Sequence, residues 1–176
     1  MAVIDVYVVD DSSFDLTMFI DSALTWGDIG VKNVRDMADK VTGLCSSGDR
    51  IAKLRIMGHG NDAGQYIGSD WVSEAILPSF RAQFARLSGL FVRAGSDGAS
   101  AELIMGGCQQ GRNGSFLLAI SNIVNVPVSG FTALQRPVLP GDEGGRTTCY
   151  ITCARGGRTA ADSVDDVQIK IMDWFR

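Results

Sequence analysis

Histidine is almost missing from this chain: among 176 residues only His59 carries an imidazole, so any chemistry that requires one uses this residue or none. Proline is scarce too, with 4 residues. Basic residues do not predominate. Sixteen Lys and Arg face 20 Asp and Glu, for a net charge of −4, and such a surface argues against nucleic acid or anionic membrane as a partner. No apolar run approaches the roughly 20 residues that a membrane span needs. The opening Met1-Ala-Val-Ile-Asp-Val has no basic region ahead of its apolar stretch and no small-residue cleavage site, so a non-secreted, cytoplasmic chain is expected.

What is present is the material of a core. With 45% hydrophobic and 20% charged residues, the chain is expected to fold as one α/β domain spanning 1–176. The four cysteines are Cys45, Cys108, Cys149 and Cys153. A core of this size needs no disulfides. Cys149 and Cys153 fall in one β-like stretch, about 13 Å apart and beyond the ~7 Å limit for a bridge. A zinc site is not expected, since close cysteine pairs are not repeated and one histidine cannot complete a set. Cys45, Cys149 and Cys153 read as small buried apolar residues.

Along the chain, Ala2 to Asp10 reads as a buried parallel strand. Val34, Met37, Val41 and Leu44 then recur at helical spacing. Ile51 to Met57 forms a second strand running into Gly58-His59-Gly60, and Gln65 to Gly68 a short extended piece. Pro78 opens a helix whose stripe is Phe80, Phe84, Leu87 and Phe91. Ala101 to Met105 is a third strand ending at Gly106-Gly107-Cys108. Phe116, Leu117, Ile120, Ile123 and Val124 give another helix, and Val126 to Gly130 a fourth strand. A Gly- and Pro-containing loop from Gln135 to Arg146, a strand from Thr147 to Cys153 and a tail over Ser163–Phe175 complete the reading; the tail fits a helix through Val164, Val167, Ile171 and Trp174, although Val167, Ile169 and Ile171 also alternate as in a strand.

Strands alternating with helices imply parallel βαβ units, and hence a three-layer sandwich with a mostly parallel sheet and helices on both faces. In such folds active groups gather beyond the carboxyl ends of the strands. His59 and Cys108 each lie just past a strand end, separated by a single crossover, so they are expected to face one another across neighbouring strand tips.

A hydrophobic strand ending in His-Gly, followed by one ending in a small residue and Cys, resembles the caspase-like (clan CD) cysteine peptidases. The residues that carry the likeness are Leu54-Arg-Ile-Met-Gly-His-Gly60 and Glu102-Leu-Ile-Met-Gly-Gly-Cys108. Their separation of about 50 residues matches the caspase interval. The stretch from Leu54 to Thr132 is most similar to the caspase-like domain of unknown function found in large bacterial surface adhesins. The resemblance implies a thiol endopeptidase acting on peptide or protein without metal or organic cofactor. It makes Cys108 the nucleophile, His59 the group that activates it or protonates the leaving amine, and the N–H groups of Gly60 and Cys108 the oxyanion hole. The caspase Gln-Ala-Cys tripeptide is replaced by Gly106-Gly107-Cys108. Asp10 and Asp11, also at a strand end, are candidates to orient His59 or to bind a basic substrate residue, or else begin a turn. The Gln135–Arg146 loop, with Asp142 and Glu143, is a candidate flap or self-cleavage segment.

Rival readings fail at named positions. A hydrolase elbow needs Gly at 110, where Gln stands, and a histidine after the nucleophile. A cysteine phosphatase loop needs Arg at 114, which is Gly. Gly58-x-Gly60-x-x-x-Gly64 has its last glycine displaced from a dinucleotide fingerprint. A response-regulator receiver, suggested by Tyr7-Val-Val-Asp-Asp, needs an Asp at the end of its third strand. The non-enzymatic alternative is a catalytically silent interaction or scaffold module on the same fold.

Overall fold

The computed structural model describes residues 2–11, 29–93, 101–132, 150–154 and 158–160. In chain order the elements are β1 (Val3–Asp10), β2 (Ile29–Val31), α1 (Val34–Leu44), β3 (Arg50–Met57), β4 (Gly60–Asn61), β5 (Gly64–Ile67) and β6 (Asp70–Ser73). They continue with α2 (Arg81–Leu87), β7 (Glu102–Met105), α3 (Gly114–Val124), β8 (Val128–Phe131), β9 (Tyr150–Ala154) and β10 (Arg158–Ala160). The main sheet has the order β10-β9-β8-β7-β3-β1-β2. The five strands from β8 to β2 are parallel; β9 runs antiparallel to β8, and β10 antiparallel to β9. This is an α/β protein with a mostly parallel central sheet. Among the described residues, no helix is long and apolar enough to cross a membrane.

Three crossovers, β2–α1–β3, β3–α2–β7 and β7–α3–β8, step across the sheet in one direction. A common right-handedness therefore puts all three helices on one face, and the Arg86–Asp39 ion pair at 2.7 Å joins α2 to α1 there. Val6 and Val8 of β1, Leu54 and Ile56 of β3, Leu103 and Met105 of β7 and Val128 of β8 meet Met37, Phe84, Phe116 and Ile120 in the core. Each large side chain so buried contributes about 1.5–3 kcal/mol. On the opposite face the Arg55 guanidinium lies 5.0 Å from the Tyr7 ring centre, and Ser129 donates to Glu102. The helices expected on that face have no counterpart among the described residues.

Local chemistry sets the boundaries. In α1 the Asn33 side chain accepts the Asp36 N–H at 2.8 Å while Asp36 accepts the Lys32 N–H at 3.0 Å, a reciprocal cap. Val34, Met37, Ala38 and Val41 are buried, but Leu44 is 47% exposed. Four residues after Val41 it is Cys45, in a closing 3-10 turn, that continues the apolar stripe. Pro78 sits in the first turn of a 3-10 segment (Leu77–Phe80) that leads into α2. That helix ends at Leu87, so Phe91 is no helix residue: it bridges Ile51 in parallel and is buried there. Between Ile4 and Asp5 the β1–β3 register shifts, pairing Ile4 with Ile51 and Asp5 with Lys53. Ala52 is the extra residue, and it lets Ile51 and Leu54 face the helices despite their odd spacing.

Between β3 and α2 the sequence reading has one extended piece where the structure has a second sheet, β4-β5-β6, antiparallel throughout. Its β5–β6 turn is Gly68-Ser69, with Gly68 at φ +59. The hairpin is tied to α1: Ser69 N–H donates to Lys32 O at 2.8 Å, and Asp70 accepts the Val34 N–H at 3.0 Å. The strand expected from Val126 begins at Val128, two residues later than read from sequence. Cys149, the Gln135–Arg146 loop and the Ser163–Phe175 helix lie outside the described residues, as do Thr147 and Thr148 of the last expected strand.

Candidate active site

The strand order 2-1-3 at one end of the parallel set creates a switch point between β1 and β3, the place where open α/β sheets bind ligands beyond their carboxyl ends. Asp10 ends β1 at this edge and Met57 ends β3, while Met105 ends β7 on the other side of β3. The β3–β7 pairing runs from Lys53↔Glu102 to Ile56↔Met105. His59 follows the end of β3 by two residues and Cys108 the end of β7 by three, so both leave the sheet from adjacent strand ends on one edge. Asp11 follows the end of β1, and its N–H donates to Val31 O of β2 at 3.0 Å.

The tips stay close beyond the last paired residues. A Cβ built on Gly60 would lie 3.2 Å from Gly107 Cα, so the two Cα atoms are within about 5 Å. The neighbours of His59 are glycine for a steric reason. A Cβ on Gly58 would sit 2.2 Å from Tyr66 O, and one on Gly60 3.0 Å from both Gly64 O and Gln110 Nε2. His59 is exposed and Cys108 half-buried.

Three side chains bind the histidine segment to the cysteine segment. Gln65, buried in β5, donates from Nε2 to Ile56 O at 2.7 Å and accepts the Gly107 N–H through Oε1 at 2.8 Å. Gln110 Nε2 donates to Asn61 O and Gly64 O. Asn113 caps α3 by accepting the Phe116 N–H at 3.1 Å, and its Nδ2 donates to Asp62 O at 3.0 Å. On its far side the cysteine loop abuts β8, where a Cβ on Gly111 would come 2.1 Å from Gly130 O. The residue after the cysteine, Gln109, has φ 61, the left-handed region that costs a non-glycine residue about 1–2 kcal/mol. Strain of this kind persists where surrounding bonds over-determine the backbone.

Backbone donors follow from the same pairing. Tyr66 N–H donates to His59 O at 2.7 Å, making these two a hydrogen-bonded antiparallel pair. Gly60, one residue on and paired with Gln65, occupies the other kind of position, so its N–H turns away from β5 towards the outer side of the edge strand β4. The Gly107 N–H is committed to Gln65.

Asp10 is 5% exposed at the end of β1. Asp11 is exposed, and its carboxyl carbon lies 3.2 Å from a Cβ built on Gly30. That position is on the β2 side of β1, away from His59. Among the described residues no three His, Cys, Asp or Glu side chains cluster as metal ligands would. Gln65, Gln109, Gln110 and Asn113 were missed as site residues from sequence. The one local signal was the glycine-rich turn on either side of the cysteine.

A scan of protein-family models, a search of curated proteins and a search of solved structures each return no match.

Proposed function

We propose that this chain is a cysteine endopeptidase of caspase-like type, a three-layer sandwich acting on peptide or protein in the cytoplasm. One observation carries the reading: β3 and β7 pair in parallel up to Ile56↔Met105, so the segments bearing His59 and Cys108 leave the sheet from neighbouring strand ends. The Cys108 thiol passes its proton to His59 and attacks the scissile carbonyl carbon as thiolate. The oxyanion of the tetrahedral intermediate accepts the N–H groups of Gly60 and Cys108. As the C–N bond breaks, the imidazolium protonates the departing amine and a thioester remains. His59 then takes a proton from water, whose oxygen displaces the sulfur to release the acid. The outward-turned Gly60 N–H and the bonded glutamine frame both support this arrangement. On the β1 side of the same edge, Asp10 and Asp11 would meet basic residues of the peptide farther from the cut.

The test is a peptide-library digest comparing wild type with Cys108→Ala, together with iodoacetamide labelling at pH 6 to 7. Cleavage lost in Cys108→Ala, with preferential alkylation of Cys108 that His59→Ala abolishes, supports the enzyme. Slow and uniform labelling of all four thiols with no cleavage supports a catalytically silent scaffold instead.

A further inference from the structure

We propose that Tyr66 and Trp71 form a substrate ledge beside the Cys108/His59 site that receives an aromatic or branched apolar side chain of the peptide next to the cut. The inference rests on the cysteine-peptidase reading and adds its substrate class. Tyr66 pairs directly with Trp71 across β5 and β6, and through its N–H it pairs with His59 on the other side. Residues directly opposite in antiparallel strands share a face, so His59, Tyr66 and Trp71 form one row. The opposite face, with Gln65, Ile67 and Val72, is fully buried. The row faces outward: His59 is exposed and Tyr66, a large aromatic, is 43% exposed.

The ledge is built rather than incidental. The two rings meet edge to face, with centres 4.9 Å apart and planes at 61°. A Cβ on Gly64 would lie 2.8 Å from Trp71 Cζ2, so the indole extends over the one position in β5 that has no side chain. An aromatic surface continuous with the imidazole offers area and edge-to-face geometry to an apolar substrate group. From Gly60 to Glu74 there is no Lys or Arg to meet an acidic one. Of the carboxylates in that segment, Asp70 is occupied by the Val34 N–H and Glu74 by the Ser115 hydroxyl, so neither offers a full charge to a basic group on the ledge.

The experiment measures alkylation of Cys108 in the full chain by two uncharged reagents, iodoacetamide and N-benzyl iodoacetamide. In both, the thiolate forms an S–C bond as iodide leaves. Rates are divided by those for free cysteine. The expected result is a benzyl preference of roughly three- to tenfold in wild type, retained in Tyr66→Phe and lost in Tyr66→Thr and Trp71→Thr. Absence of preference in wild type overturns the ledge, with no variant needed. The library digest separates the two readings. Cys108-dependent cleavage favouring charged or small residues overturns the ledge alone. Benzyl preference without cleavage overturns the peptidase reading and, with it, the assignment of a substrate.

Discussion

Gln65 Oε1 accepts the Gly107 N–H at 2.8 Å, joining a strand of the small sheet to the turn that carries Cys108, 42 residues further along the chain. The same side chain donates to Ile56 O at 2.7 Å. One amide thus spans the tips of β3 and β7 and fixes how far apart they sit.

Replacing it exposes its role. In Gln65→Leu the shape is nearly kept, but the Gly107 N–H loses its buried acceptor and Ile56 O one of two donors. The expected loss is about 2–4 kcal/mol in urea unfolding, with slower Cys108 alkylation under native conditions. A variant within about 0.5 kcal/mol of wild type, which is the scatter of ordinary surface changes, shows that the amide bridges nothing.

Gln109 gives the opposite sign. Glycine has no penalty at φ 61, although it adds freedom to the unfolded chain. Gln109→Gly is expected to stabilise the fold by up to about 1 kcal/mol while loosening the turn after Cys108. The two readouts are the urea midpoint and the Cys108 alkylation rate. Higher stability with a reduced rate is the expected pair; a fall in stability removes the case for stored strain.

Acid sensitivity is traced to the cap of α1. The Lys32 backbone N–H, then the Lys40 ammonium at 3.0 Å, hold the Asp36 carboxyl below its ordinary value of 3.8. A carboxylate lowered by folding stabilises the native state fully above its unfolded pKa. That contribution disappears as pH falls through the lower folded value. The group is largely in water, so the effect is under about 1 kcal/mol. Urea midpoints of wild type and Asp36→Asn should differ at pH 6 and converge near pH 2. A difference independent of pH refutes the ionic origin.

The parallel strands were legible because β1, β3 and β7 announce themselves as apolar runs, and α1 and α3 because their buried residues keep helical spacing. The placing of His59 and Cys108 just past the ends of neighbouring strands followed from those strands and one crossover. What escaped has a physical reason. The β4–β6 sheet is made of pieces two to four residues long, too short for alternation to register, although Gly68-Ser69 between Gln65-Tyr-Ile and Asp70-Trp-Val is a hairpin signal. Phe91 keeps helical spacing from Leu87 yet is buried by a bridge to Ile51. Gln65 and Gln110 are polar residues at zero exposure, and apart from Ile56 their partners lie 42 to 49 residues away, beyond any local pattern.

The bulge at Ala52 also bears on how the chain can vary. Its surplus residue is absorbed at the amino end of β3, so the far end keeps step with both neighbours. Gains or losses of length near Arg50 can therefore be taken up as slack before they reach His59. A single added residue after Lys53 has no such buffer and turns the imidazole to the wrong side.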